Sequence, residues 1–159
     1  MSHRHQIFSG LTWGLVLVTA VTFAGCGKGN GLSGLVPAKG VIKYNGLPVE
    51  GATVTFVPDG ATSSEQRTAS ATSDSNGRFE VMTLQPKDGI FPGQYKVLVK
   101  KLAPDKVYTK EDFAANPKGL APPKYTNQLP AKYADQKSTP ESIVFDKKGN
   151  TNIALELTD

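Results

Sequence analysis

Pro92-Gly93-Gln94-Tyr95-Lys96-Val97-Leu98-Val99-Lys100 is the stretch that decides the fold. Tyr95, Val97 and Val99 alternate with Lys96, Leu98 and Lys100, and a period of two is that of a strand with one buried face. Pro92-Gly93 starts it cleanly. Outward from this strand the same period recurs in short runs separated by turn residues. Toward the N-terminus, 78–82 places Phe79 and Val81 inward and Arg78 and Glu80 outward, after the turn Asp74-Ser75-Asn76-Gly77. A strand at 68–72 precedes that turn. Thr53-Val54-Thr55-Phe56-Val57 forms another, ended by Pro58-Asp59-Gly60. Gly40-Val41-Ile42-Lys43-Tyr44 forms the first, followed by Asn45-Gly46, a pair that accepts positive φ at both central positions of a tight hairpin turn. Toward the C-terminus come Ile143 and Phe145, a turn at Lys147-Lys148-Gly149-Asn150, and a last strand carrying Ile153, Leu155 and Leu157 inward. The expectation is an all-β domain over 39–159, a sandwich of seven strands.

Residues 102–141 break the rhythm. They hold six prolines and no sustained period, and so read as a long Pro-rich excursion between two strands, the kind of segment that is functional or disordered. Thr109-Lys110-Glu111-Asp112 has capping-box spacing, which predicts a turn or two of helix up to Asn116-Pro117. Tyr108, Phe113, Tyr125, Leu129 and Tyr133 are the side chains available to pin the excursion onto the sheet.

The N-terminus reads as an export signal. Arg4 precedes residues 7–24, a run without charge, and Phe23-Ala24-Gly25-Cys26 resembles a bacterial lipobox. In that motif the cysteine is lipidated on sulfur and becomes the first residue after cleavage. Residues 1–25 are then a lipoprotein signal peptide, and 26–38 a lipidated cysteine followed by a Gly-rich tether of roughly 20 Å. The competing reading is one uncleaved membrane helix, because about 18 apolar residues just span a bilayer. Acylation also accounts for the odd number of cysteines: Cys26 is the only one in 159 residues. Lipidation on Cys26 implies a cell-envelope location on the periplasmic face or at the outer membrane, with the membrane itself as one partner.

Three strings resemble carboxypeptidase regulatory-like domains. They are the run from Gly40 through Leu47-Pro48-Val49-Glu50-Gly51-Ala52 to Phe56, then Thr72-Ser73-Asp74-Ser75-Asn76-Gly77-Arg78-Phe79, then Pro92-Gly93-Gln94-Tyr95-Lys96-Val97. The resemblance implies a transthyretin-like, seven-stranded sandwich and a small bacterial envelope lipoprotein. It implies no activity, since a shared fold does not carry a function.

Composition excludes much chemistry. Both histidines, His3 and His5, lie before Cys26, so residues 27–159 offer neither imidazole nor thiolate, and serine nucleophiles there lack a histidine base. Asp74-Ser75-Asn76-Gly77 has the opening of a calcium loop without its remaining ligands, and reads as a plain turn. No metal or cofactor is expected, and no nucleic acid, because no recognition motif occurs. Two carboxylates among Glu50, Asp59, Glu65, Asp74, Glu80 and Asp88 would have to converge in one cleft for a hydrolase. The expectation is therefore a non-enzymatic module with a binding or structural role; the alternative is an accessory docking subunit of an envelope enzyme or transporter. Its partner would be an envelope protein or a polysaccharide. The candidate surface is Tyr108, Phe113, Tyr125 and Tyr133 with Lys96 and Lys100, where lysines 96, 100, 101, 106 and 110 form a basic strip.

Overall fold

The computed structural model describes residues 33–60 and 64–159. The strands are β1 (Ala38–Tyr44), β2 (Leu47–Pro48), β3 (Thr53–Pro58), β4 (Ala69–Thr72), β5 (Arg78–Glu80), β6 (Gly93–Lys100), β7 (Leu102–Pro104), β8 (Tyr125–Asn127), β9 (Ser142–Phe145) and β10 (Asn150–Leu157), with one helix, α1 (Lys110–Ala115), and a short 3-10 helix at Ala131–Ala134. All seven strands expected from the alternation are present. Three short ones, β2, β7 and β8, add to them.

Two four-stranded sheets pack together in the manner of a β-sandwich. In the first, β1 is central: β10 runs parallel along one side, while β5 and β2 pair antiparallel with the two halves of its other side. The second is antiparallel throughout, in the order β4-β3-β6-β9. The register pairs Phe56 with Val97 and Tyr95 with Ile143, so the inward residues of neighbouring strands stack in one layer. Between the sheets lies one apolar core. Ile42, Phe79, Leu155 and Leu157 enter it from the first sheet and Val54, Phe56, Val97 and Val99 from the second. Its centre is aromatic, with Phe145 edge-on to both Phe56 and Tyr95 at 5.8 Å between ring centroids and Phe56 reaching Phe79 at 6.3 Å.

The turns follow local chemistry. Asn45 and Gly46 take φ of 50° and 81°, the pair of positive angles that a two-residue β1–β2 hairpin requires. Asp74 shapes the turn before β5, because its Oδ1 accepts the amides of Asn76 and Arg78 at 2.9 and 2.8 Å. That carboxylate oxygen is thus committed to the backbone, as a plain turn requires. Ser73, buried beside it, accepts the Ala52 amide and donates to the Val49 carbonyl at 2.6 Å, which holds the β2–β3 connection to the end of β4.

The last residues of the stretch expected as a tether over 26–38 belong to the fold. Val36 bridges to Ile90 through two backbone hydrogen bonds and Ala38 is buried in β1, so the fold takes up the chain by Val36. These residues are recruited by a distant strand entry that no local period announces. The signal peptide expected at 1–25, Cys26 and the expected tether up to residue 32 lie outside the described residues.

Candidate functional site

The excursion is two different things. From 129 to 141 it is anchored: Leu129 and Tyr133 are buried, Tyr133 Oη donates to the Thr158 carbonyl, and Thr139 Oγ1 donates to Val97 O at 2.7 Å. Tyr133 therefore leaves the candidate surface. It is 2% exposed and belongs to the core cluster.

From 101 to 128 no side chain is buried. This part is a flap with its own internal order. β7 and β8 form a two-stranded ribbon, and Asp105 closes it by accepting the Lys124 amide at 2.9 Å while its own amide donates to the Lys124 carbonyl. Helix α1 forms where the capping box predicts it: Thr109 Oγ1 accepts the Asp112 amide and the Asp112 carboxylate accepts the Thr109 amide. The Thr109 amide first, and then the Thr109 hydroxyl donating at 3.0 Å, hold the Asp112 carboxyl below the ordinary aspartate range. Tyr108 is half-buried within the flap, its hydroxyl donating to Ala121 O and its ring edge-on to Phe113 at 6.1 Å.

Outward the flap presents Leu102, Val107, Phe113 and Tyr125, exposed by 57, 82, 58 and 62%. Exposed apolar side chains are ordinary singly; here four stand on one segment that has no fully buried residue. The flap is also where the positive charge sits. Residues 100–128 hold six lysines and three carboxylates, while the remaining described residues hold ten cations and eleven carboxylates. The ion pairs among the described residues join Lys39 and Lys87 to Glu80 and Lys43 to Glu156, so none engages a flap lysine. Lys100 is exposed at the end of β6 where the flap begins, whereas Lys96 stands on the outer face of the second sheet opposite Val57 and Ser142, apart from the flap ribbon.

Beneath the flap lies a groove of about 280 Å³, bounded by Tyr44, Leu47 and Pro48 of the β1–β2 hairpin and by Lys101, Gln128 and Leu129 at the flap's base. Its Tyr44 wall is fixed from outside. The Tyr44 hydroxyl donates to the Asp159 carboxylate, Asn45 Nδ2 donates to the same group at 3.1 Å, and Lys132 Nζ donates to the Asp159 carbonyl at 2.7 Å. The hydrogen bond from Tyr44 is the main reason the Asp159 carboxyl lies below its usual range, and the same bond raises Tyr44. Composition and periodicity do not show this groove, because its walls come from three distant segments.

A larger cleft, about 770 Å³, covers the outer face of β10-β1-β5. Asp74 and Glu80 both line it, the one convergence a carboxylate hydrolase would need. Glu80 is unsuited to donate a proton, since the Lys39 ammonium at 2.7 Å, aided by Lys87, holds its carboxyl low. A two-carboxylate mechanism requires one member raised instead.

The turn at 83–88, next to that cleft, is built on Asp88. Asp88 is partly buried, which pushes its carboxyl up, but amides of Thr83, Gln85 and Leu84 donate to it at 2.6, 2.9 and 2.9 Å and bring the net shift below the ordinary value. A lowered native pKa means stabilisation that is present above the unfolded pKa and lost as pH falls through the native one. Hydrogen exchange is expected to show amides 83–85 protected at pH 6 and markedly less so near pH 3. Asp88→Asn should exchange fast at both.

No family model matches the chain, and no curated protein matches it. Among solved structures, a 9R-lipoxygenase from Cyanothece PCC8801 aligns over 82% of this chain and 18% of that one, at 15% identity and a TM-score of 0.36. A likeness that low carries no inference about activity.

Proposed function

We propose that this chain is a lipid-tethered β-sandwich of the cell envelope, held to a membrane through Cys26 and acting as a non-catalytic binding or structural module. In this reading the sandwich is of the transthyretin-like, carboxypeptidase regulatory-like type, on which the resemblance of 40–56, 72–79 and 92–97 bears. The observation that carries a binding role is the flap. Ordering residues costs free energy that burial normally offsets, yet 101–128 hold no fully buried residue and expose four large apolar side chains among lysines that make no ion pair. Cover by a partner would recover that loss, and aromatic rings are the side chains that most often anchor such contacts.

The test is photo-crosslinking in intact cells with a crosslinking side chain placed at Phe113 or Tyr125, and at Thr151 as an exposed control on β10. Discrete adducts are expected from the two flap positions and not from Thr151. Identical patterns at all three, or none from the flap, would reject the flap as the contact surface. The alternative, an accessory docking subunit of an envelope enzyme or transporter, predicts one adduct of protein mass and co-purification in stoichiometric amount.

A further inference from the structure

The geometry points to the groove between the β1–β2 hairpin and the flap base, together with the flap's rings and lysines, as a binding site for an anionic polysaccharide. This rests on the reading of the flap as a contact surface and names what it contacts. Three observations favour that ligand.

The first is composition at the site. Tyr44 lines the groove from the hairpin, Lys101 and Gln128 line it from the flap's base, and Tyr125, three residues before Gln128, is exposed on β8. A pyranose presents an apolar C–H face suited to a tyrosine ring, a carboxylate suited to an ammonium, and hydroxyls suited to a primary amide. At about 280 Å³ the groove falls just below the range of small-molecule pockets, which suits one ring of a chain whose neighbours run outside. The second is charge. Two of the three flap carboxylates, Asp105 and Asp112, already accept hydrogen bonds from flap backbone, whereas no flap lysine is in an ion pair. A polyanion following the flap gains several weak contacts at once, and linked contacts add avidity.

The third is position, which argues against the anchoring membrane as the flap's target. Gly34 lies against Phe91 and Val36 pairs with Ile90, so the tethered end sits where β6 begins, while the flap leaves where β6 ends. The first and last residues of that eight-residue strand lie about 23 Å apart. Fully extended, the chain from Cys26 to Ser33 spans at most about 25 Å. A domain that presents its flap end-on to its own membrane would use nearly all of that reach. In the tethered arrangement of the proposed function, a flap turned away from the anchoring membrane is therefore favoured.

The test uses the full chain in detergent and four probes: polygalacturonate, neutral dextran, poly-glutamate, and vesicles containing anionic lipid. Polygalacturonate is expected to bind in a salt-sensitive manner, with dextran, poly-glutamate and vesicles each at least about tenfold weaker. Lys101→Glu and Tyr125→Ala should each weaken polygalacturonate by about tenfold without shifting the melting temperature, whereas Lys137→Glu, a charge change away from the groove, should not. Equal binding of poly-glutamate would reduce the site to a general polyanion surface and overturn the inference, as would preferential binding to vesicles, or no binding to polygalacturonate. If polygalacturonate fails while the flap crosslinks to a protein, the proposed module survives and the polysaccharide falls. Loss of both rejects the two together.

Discussion

Phe145→Ala is expected to lower the free energy of unfolding by about 3–5 kcal/mol, the range for truncating a buried aromatic side chain. Phe145 is nearly inaccessible and joins the rings of Phe56 and Tyr95, which come from different strands of the second sheet. Alanine there removes both edge contacts and leaves a cavity that rigid neighbouring strands cannot fill. On a domain of this size the loss corresponds to a fall in melting temperature of roughly 10–20 °C. Val144→Ala, one residue earlier on β9 but pointing to solvent, should stay within about 0.5 kcal/mol. Denaturant unfolding of the two variants side by side measures the difference. A loss below about 1 kcal/mol for Phe145→Ala would mean that Phe145 does not hold the aromatic centre described.

The second large effect is expected at Gly40. It is not among the glycines with positive φ, so backbone conformation does not demand it. Space does. A Cβ there would meet Ile153 Cβ at 2.6 Å and Phe79 Cζ at 2.7 Å and would also crowd the Ile153 carbonyl, so β1 would have to separate from β10 or β5. Gly40→Val is therefore expected to cost about 3 kcal/mol or more, the upper range for overpacking. Gly46→Ala offers the contrast. Nothing lies within 4 Å of a Cβ at Gly46, but its φ is 81°, so only the left-handed conformation is penalised, by about 1–2 kcal/mol. Chemical denaturation should rank Gly40→Val well below Gly46→Ala; the reverse order would contradict the close approach of β1, β5 and β10.

Much of the fold is legible locally. Tyr95, Val97 and Val99 alternate because one face of β6 meets the core, and the same logic reveals β3, β5 and β10. Asn45-Gly46 and the Thr109–Asp112 capping box are legible because their chemistry is complete within four residues. What is not legible depends on distant partners. The parallel pairing of β1 with β10 joins the two ends of the domain, and recruitment of Val36 depends on Ile90. The tyrosines of the excursion look alike in sequence, since no period marks which of them faces a sheet. Tyr133 is buried because the 3-10 helix carries it onto the core near Thr158, and Tyr125 is exposed because its ribbon stands off the sandwich. The flap's lysines are legible in the sequence as a basic strip. Their lack of ion pairs is not, because it depends on where the carboxylates fold.

Intact mass with membrane fractionation of the native protein beside Cys26→Ala is the decisive test of the proposal that acylated Cys26 ties a folded module to a membrane. The native chain is expected to begin at Cys26, to carry the added mass of two or three acyl chains and to sediment with membranes, and the mutant to be released from them. A native chain of unmodified mass that retains residues 1–25 and remains in the membrane when Cys26 is replaced would contradict it.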